Sequence, residues 1–294
     1  MSNPYRGRQE GGAGRIVLVM VFVVAALLAA GAFLLRGEGA GQPAGSQGVH
    51  AGDCSSPLQE PEGPEPEPPS EPEPPPYDFT QPAPASEAVD NSYFDDAAFV
   101  GDSRTDGFMI YSGIGTGKNL TSNGLSIFKL EEKKALKIDG QDYTLLEALA
   151  LEEYGKVYLS LGVNELGYYD DEGFYQSYCT AIDEIRKVQP NAVIYIQGLI
   201  PVNEGEIAAT TGRTYLNNDH LRVYNGLMRQ AAQEKQVVFL DLYQEFVDGE
   251  GQLPAGASKD GVHLYKEYCV QWLDYLKTHT VDFDTLYPDT KEDT

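Results

Sequence analysis

The chain has 294 residues, and its 45 acidic and 21 basic side chains give a formal net charge of −24 at pH 7. Nucleic acids and anionic membrane surfaces repel so acidic a protein at long range, so the composition argues against both as ligands. Three cysteines and four histidines show no spacing typical of a metal site. The sequence therefore predicts neither a metal nor another cofactor.

An uninterrupted apolar run occupies residues 16–35 and is long enough to cross a bilayer as a helix. Three arginines precede this run, and a long stretch without basic residues follows Arg36. This asymmetry predicts a single-pass membrane protein, with residues 1–15 in the cytoplasm and the remainder of the chain outside the cell. A cleaved signal peptide is the alternative interpretation, and it leads to the same export.

Residues 36–90 are predicted to form a stalk between the membrane and the folded domain. Gly, Ala, Gln and Ser dominate residues 37–55, whereas proline and glutamate alternate through residues 56–76. The second part is typical of a stiff polyproline II spacer, which at ~3.1 Å per residue reaches roughly 65 Å. Much of the negative charge lies there, so it indicates nothing about a substrate. Cys54 falls in the stalk and is interpreted as an exposed thiol.

Residues 91–288 are predicted to form one domain, followed by a tail at 289–294. Short apolar runs typical of strands cover residues 97–100, 122–128, 156–161, 192–197 and 236–240. Amphipathic stretches typical of helices cover residues 144–153, 173–188, 218–235 and 264–278. This alternation predicts an α/β domain with a parallel sheet and helices on both faces, joined by right-handed crossovers.

A Gly-Asp-Ser sequence, residues 101–103, directly follows the first predicted strand. It places the Ser103 hydroxyl at the carboxyl end of a strand and the start of a helix, the edge where open α/β sheets bind ligands. Taken alone, the same pattern also fits a serine that merely caps the helix.

Two further segments are expected at the same edge of the sheet. Gly-Val-Asn-Glu, residues 162–165, follows a predicted strand, and Asp-Gly-Val-His, residues 260–263, precedes the last predicted helix. Acyl transfer needs a nucleophile, a base, an acid that orients the base, and donors for the oxyanion. Ser103, His263 and Asp260 supply the first three, and the Asn164 amide joins the backbone N–H of Ser103 as a donor. The sequence thus predicts a serine hydrolase site.

The blocks FVGDSRTDG, LSLGVNE and SKDGVHL resemble blocks one, three and five of the SGNH/GDSL hydrolase family. The resemblance covers about residues 91–280 and implies a flavodoxin-like α/β/α sandwich with five parallel strands. It also implies Ser103 as the nucleophile, Asp260 and His263 as the other members of a triad, and Asn164 as an oxyanion donor.

The chain departs from the family pattern at two places. Glu165 stands where the third block usually ends in aspartate. The second departure concerns the second block, which normally supplies a glycine whose backbone N–H joins the oxyanion hole. The best candidate for this glycine is Gly124, within residues 122–126.

Side chains around the predicted site bear on the substrate. Arg104 could bind a substrate carboxylate or phosphate, or form a salt bridge on the first helix. Tyr111, Tyr168 and Tyr169 are placed in loops beside the site, where aromatic rings suit sugar faces or pack the loops. The long loop at residues 198–214 is expected to form another wall of the cleft.

Cys179 and Cys269 fall on helices that cover opposite faces of the sheet in the implied topology. Both are therefore predicted to be buried, unpaired thiols despite the extracellular location.

The sequence as a whole predicts a membrane-tethered extracellular serine esterase. It is expected to remove acyl groups, above all O-acetyl, from a carbohydrate or cell-wall glycan or from a small ester. An O-acyltransferase of the same fold is one alternative, because the acyl-enzyme is common to both reactions. A non-catalytic domain that binds a glycan or the cell wall is the other.

Overall fold

The computed structural model describes residues 75–288. The predicted membrane helix at residues 16–35, the cytoplasmic segment before it, the stalk up to residue 74 and the tail at 289–294 lie outside the described residues. Across residues 75–288, no helix has the length and apolar character needed to cross a membrane.

Five parallel strands form the central sheet of the domain. In chain order the strands are β1 (Ala97–Gly101), β2 (Lys118–Thr121), β3 (Leu136–Ile138), β4 (Gln141–Tyr143), β5 (Lys156–Ser160), β6 (Val193–Gln197) and β7 (Val238–Leu240). The sheet order is β2-β1-β5-β6-β7, and β3 and β4 form a separate antiparallel hairpin. The predicted α/β class with a five-stranded parallel sheet is confirmed.

Within residues 75–288, eight α-helices accompany the strands. They are α1 (Ser103–Tyr111), α2 (Leu145–Leu149), α3 (Asp171–Val188), α4 (Glu204–Thr210), α5 (Asn218–Glu234), α6 (Leu242–Phe246), α7 (Lys266–Lys277) and α8 (Phe283–Leu286). One apolar core lies between the sheet and α2, α3 and α5, and a second lies between the sheet and α1, α6 and α7. Both faces of the sheet are thus covered, which explains why the inner strands are continuous apolar runs.

Rings stacked across three neighbouring strands line the second core. Phe99 of β1 stacks on Tyr158 of β5 at 4.9 Å between centroids, and Tyr158 stacks on Tyr195 of β6 at 4.5 Å. Parallel pairing aligns these residues in register. Such cross-strand aromatic pairs stabilise the register of the sheet centre, from which the site residues project.

The prediction of a strand at residues 122–128 is wrong. The second strand of the sheet is β2, which ends at Thr121, and residues 122–129 form a turn and the 3-10 helix Ile127–Lys129. Gly124 has φ +68°, a left-handed conformation that a strand does not contain. Because β2 is an edge strand with Leu120 as its one buried residue, it lacked the apolar run by which strands are recognised.

Residues 198–214 are not an irregular loop throughout. They contain α4, whose first turn is capped by Asn203, the side chain of which accepts from the Glu206 N–H at 2.9 Å. The buried side of this short helix is Ile207. With so few apolar positions, α4 carries little helical periodicity in the sequence.

Residues 77–89, which the sequence assigns to the stalk, pack against the domain; we call them the strap. The Ala83 N–H donates to the Phe239 carbonyl of β7 at 2.8 Å, and Val89 donates to Lys277 of α7 at 3.0 Å. The Arg229 guanidinium donates to the Thr80 carbonyl at 2.6 Å. The strap therefore covers the outer edge of β7, which blunts the exposed edge of the sheet.

Cys179 on α3 and Cys269 on α7 are both buried and unpaired, which confirms the prediction for these two thiols. Cys179 lies in the first core, whereas Cys269 lies on α7, the helix that packs on the opposite face of the sheet. Burial raises the pKa of the Cys269 thiol to about 11, so it stays protonated and unreactive at neutral pH.

Removing the strap is expected to destabilise the domain. A chain that begins at residue 91 loses the backbone bonds of Ala83 and Val89 and the burial of Phe79 and Ala83, a cost of roughly 2–4 kcal/mol. Urea unfolding of this chain and of one that begins at residue 75 measures the difference. Equal unfolding free energies would show that the strap contributes nothing.

Candidate active site

Gly101 allows the first helix to begin directly on the edge of the sheet. A Cβ atom at this position would lie 2.1 Å from Thr105 Oγ1 and 2.8 Å from the Ser160 carbonyl oxygen. Any side chain at this position would therefore push α1 away from β1 and β5. The glycine thus fixes how closely α1 approaches the sheet, and with it the position of Ser103.

Asp102, and not Ser103, caps α1. Its side chain accepts from the Arg104 N–H at 2.9 Å, while Ser103 is the first residue of the helix. The alternative in which Ser103 merely caps the helix therefore does not apply. Its hydroxyl is left for other contacts, and its backbone N–H belongs to the first turn, where no intrahelical acceptor exists.

A continuous line of hydrogen bonds joins Ser103, His263 and Asp260. Ser103 Oγ lies 2.9 Å from His263 Nε2, and His263 Nδ1 lies 2.7 Å from Asp260 Oδ2. Both distances are those of ordinary to strong hydrogen bonds. Residues separated by 160 positions in the chain thus meet at the carboxyl edge of the sheet.

The Asp260 carboxylate is held in place by three further donors. Its Oδ1 accepts from the backbone N–H groups of Val262 and His263, at 3.0 and 2.9 Å, and from Ser258 Oγ at 3.1 Å. Burial alone raises the pKa of this carboxyl, but the backbone and side-chain bonds from His263 and Val262 outweigh it and lower the pKa to about 2. Asp260 is therefore ionised at neutral pH, with Oδ2 directed at the imidazole.

Gly261 anchors the Asp260–His263 loop to α4. The residue has φ +82°, and a Cβ atom there would lie 2.4 Å from the Asn203 carbonyl oxygen and 2.6 Å from Ile207 Cγ1. The Gly261 carbonyl in turn accepts from the Asn203 N–H at 2.9 Å. Helix α4, which the sequence did not reveal, therefore braces the loop that carries the aspartate and the histidine.

Asn164 lies beside the nucleophile but its amide is already hydrogen-bonded. Its Nδ2 lies 3.1 Å from Asp102 Oδ2 and 3.0 Å from the Leu125 carbonyl oxygen. Since both neighbours are acceptors, the amide turns its N–H groups, and not its oxygen, toward Asp102 and Leu125. Donation to a substrate oxygen therefore requires one of these bonds to be shared.

Gly124 lies in the exposed turn after β2, next to β1 in the sheet. The turn is tied to the site by the Ser122 N–H, which donates to the Gly101 carbonyl at 3.1 Å, and by the bond from Asn164 to Leu125. These bonds place the turn next to the end of β1, and the oxyanion role of Gly124 stays a prediction.

Arg104 does not face the substrate side, so the prediction that it binds a substrate anion is wrong. Its side chain is buried and donates to the carbonyl oxygens of Ile200 and Pro201, at 2.9 and 3.3 Å. The alternative was a salt bridge of Arg104 on the first helix. Among the ion pairs of residues 75–288, none involves Arg104. Arg104 instead ties the start of α1 to the segment after β6, because the helix turns this residue inward.

Tyr111 also lies away from the site, at the far end of α1. The Asn91 side chain, which precedes β1, donates to Gly113 and Ile114 just beyond this helix, so the end of α1 lies at the amino edge of the sheet. Tyr168 and Tyr169, by contrast, follow Asn164 closely in the chain and are 61% and 65% exposed. We call these two exposed rings the aromatic rim; that they contact a substrate stays a prediction.

Contacts from the neighbouring elements hold the aromatic rim. Tyr168 packs edge-to-face on Phe128 at 5.5 Å between centroids, and Tyr169 stacks on His220 at 5.0 Å. The His220 ring is fixed at both nitrogens, 3.0 Å from the Leu166 carbonyl oxygen and 2.8 Å from Asp171 Oδ1. Tyr169 has φ +53°, an unfavourable conformation for a non-glycine residue that such contacts must stabilise.

Across the described residues, no group of three or more His, Cys, Asp or Glu side chains is arranged to hold a metal ion. The charged and polar groups at the sheet edge instead form the serine, histidine and aspartate arrangement described above. This arrangement suits acyl transfer through a nucleophilic hydroxyl.

The sequence profile of the GDSL-like Lipase/Acylhydrolase family matches residues 99–267, more than half of the chain. The chain therefore belongs to the GDSL-like lipase/acylhydrolase family, and it is an esterase-type hydrolase by this membership. The predicted family is thus confirmed. A comparison with curated proteins gives no match.

Solved structures with related folds include a protein from Streptococcus pneumoniae described as a platelet activating factor, at 22% identity and a TM-score of 0.51. The match covers 68% of this chain and 86% of that one, and at this identity it shows the shared fold alone.

Two solved esterases give weaker matches. A peptidoglycan O-acetylesterase is 20% identical over 55% of this chain and 45% of its own, with a TM-score of 0.43. An acetyl xylan esterase is 16% identical over 61% of this chain and 96% of its own, with a TM-score of 0.43. Similarity this weak carries no argument about this chain.

Substituting Gly261 with alanine is expected to displace the Asp260–His263 loop. The added methyl meets the Asn203 carbonyl, so we expect ester hydrolysis to fall roughly 10- to 100-fold, because small misplacements of catalytic groups are costly. The matched control is Gly256→Ala in the same segment, where φ is +81° but nothing lies within 4 Å of the new methyl. Kinetics of both variants separate the effect of crowding from that of backbone strain. An equal loss of activity in the two would contradict the role of α4 in holding the loop.

Proposed function

We propose that this chain is a serine esterase that removes small acyl groups, above all acetyl, from a glycan. The observation that carries the proposal is the hydrogen-bonded line from Ser103 through His263 to Asp260, in a chain that belongs to a family of acylhydrolases. In this proposal Ser103 is the nucleophile, His263 the general acid and base, and Asp260 the residue that orients the imidazole.

The reaction proceeds through two half-reactions. His263 Nε2 takes the proton of Ser103 Oγ as this oxygen attacks the ester carbonyl carbon, and then protonates the leaving sugar alcohol as the C–O bond breaks. Water next attacks the acyl-enzyme, again giving a proton to His263, and the acid leaves as the proton returns to Ser103. Asp260 remains a carboxylate throughout and stabilises the imidazolium.

Three segments at the sheet edge supply the proposed donors for the oxyanion. The Ser103 N–H is free of an intrahelical acceptor and lies at the positive end of α1. Asn164 contributes an N–H that it shares with Asp102 or Leu125. The backbone of Gly124 is the third proposed donor, supported by the position of its turn beside β1.

The openness of the site supports a polymeric substrate with a small acyl group. The His263 side chain is 51% exposed and that of Asp260 31%, so the reacting bond is close to solvent. A long acyl chain would bury little of its apolar surface at so exposed a site. An acetyl group that protrudes from a polymer has little apolar surface to bury. The exposed Tyr168 and Tyr169 rings offer flat apolar faces of the kind on which sugar rings stack.

We also propose that the domain works outside the cell, held to the membrane by residues 16–35. This part of the proposal rests on the sequence: the apolar run, the arginines before it and the proline-rich stalk after it.

Replacing the nucleophile or the base is expected to abolish hydrolysis. Ser103→Ala and His263→Ala should each lower kcat/KM for p-nitrophenyl acetate by roughly 1,000-fold or more, because the triad acts as a unit. His279→Ala is the matched control, since this histidine bonds to Tyr275 near the end of α7. A Ser103→Ala variant that retains turnover would refute the mechanism.

An acceptor sugar in the same assay separates hydrolysis from transfer, because transfer alone acetylates the acceptor.

Removing the aromatic rim is expected to weaken glycan binding without changing the chemistry. Tyr168→Ala and Tyr169→Ala should each raise KM for an O-acetylated oligosaccharide about 3- to 10-fold and leave p-nitrophenyl acetate kinetics unchanged. The matched control is Tyr111→Ala, which removes a similarly exposed ring at the opposite edge of the sheet. If all three variants behave alike, the rim does not bind the sugar.

A further inference from the structure

Glu165 is a fully buried carboxylate next to Asn164 in the chain. Its Oε1 accepts from the Ile127 backbone N–H at 2.6 Å, a short bond between a carboxylate and an amide. Burial raises the pKa of Glu165 to about 7, against the lowering effect of the bonds from Ser126 and Ile127. So costly a placement calls for a reason, because these hydrogen bonds offset only part of the free energy lost when a carboxyl group is removed from water.

The bond from Glu165 to Ile127 joins the segments that follow two different strands. Glu165 ends the 3-10 helix Val163–Glu165 after β5, and Ile127 begins the 3-10 helix Ile127–Lys129 after β2. These strands flank β1, the strand that leads through Asp102 to the nucleophile Ser103. The Glu165 main chain is itself fixed, because its carbonyl accepts from the Tyr224 hydroxyl of α5 at 3.1 Å.

The segment held by Glu165 contains one of the two acceptors of Asn164. Leu125, whose carbonyl oxygen lies 3.0 Å from Asn164 Nδ2, is two residues before Ile127. The turn before Leu125 is also held by the Ser122 N–H, which donates to the Gly101 carbonyl, and by the Leu125 N–H, which donates to the Ser122 carbonyl at 3.0 Å. After Leu125, the bond from Ile127 to Glu165 holds the other end of the segment. The bond from Ile127 to Glu165, which we call the clamp, is therefore one of the contacts that set the position of the Leu125 carbonyl, and this carbonyl is one of the two acceptors that orient the Asn164 N–H groups.

We propose that Glu165 is a positioning residue for ester hydrolysis: by holding the Ile127 N–H, its carboxylate fixes Leu125 and thereby the orientation in which Asn164 meets the oxyanion. The inference rests on the proposed oxyanion role of Asn164. A neutral side chain with the same acceptor keeps the clamp, because the bond to Ile127 uses one oxygen. Glu165→Gln should therefore preserve what Glu165→Ala removes.

The test measures kcat and KM for p-nitrophenyl acetate in Glu165→Ala, Glu165→Met, Glu165→Gln, Asn164→Ala and the double variant Asn164→Ala/Glu165→Ala. We expect Glu165→Ala and Glu165→Met to lower kcat roughly 10- to 100-fold with KM nearly unchanged, and Glu165→Gln to stay within about 3-fold of wild type. The methionine fills the buried volume without an acceptor, which keeps the test valid if the alanine variant does not fold. In the double variant, kcat should match that of Asn164→Ala alone.

The matched control is Gln189→Ala, which removes another buried clamp at the amino edge of the sheet, where Gln189 Oε1 accepts from the Tyr154 N–H at 3.0 Å. It should cost stability in urea without changing kcat. Equal kcat in wild type and Glu165→Met, additive losses in the double variant, or the same fall in Gln189→Ala would each overturn the inference. Such a result alongside an inactive Ser103→Ala variant leaves the esterase proposal intact, whereas an active Ser103→Ala variant contradicts that proposal instead.

Discussion

The close approach of α1 to the sheet at Gly101 is the constraint on which the site depends. Because no side chain stands between Gly101, Thr105 and the Ser160 carbonyl, the helix begins on the edge of β1 itself. Asp102 then caps the helix, so the Ser103 hydroxyl is not used as a cap and hydrogen-bonds with His263. The strand order also determines where the site lies. The chain adds β2 on one side of β1 and then β5 on the other side, and open α/β sheets bind ligands at such a switch point.

Around this edge, each candidate catalytic group is held by residues that take no part in the chemistry. Asp260 is fixed by backbone donors of its own loop, and that loop is braced by α4 through Gly261. Asn164 is fixed by acceptors from the elements after β1 and β2. The open catalytic residues thus rest on a buried polar framework, which keeps geometry precise where solvent is close.

Much of this could be predicted from the sequence, for identifiable reasons. The apolar runs of the inner strands and the short blocks around Ser103 and His263 are local signals, and they predicted the α/β class and the family. The edge strand β2 and the short helix α4 bury few side chains, so their apolar periodicity was too weak to read. The inward turn of Arg104 and the distant end of α1 at Tyr111 depend on packing in three dimensions, which residue type does not reveal.

The most direct test of the account is covalent labelling of Ser103 with a fluorophosphonate probe, mapped by mass spectrometry of the labelled peptide. A fluorophosphonate reacts with a serine whose oxygen is activated by a neighbouring base, so no substrate needs to be known. We expect one adduct, on Ser103, that forms in the wild-type protein and is lost in His263→Ala. Absence of the adduct, or labelling of Ser103 at the same rate in both proteins, would contradict it.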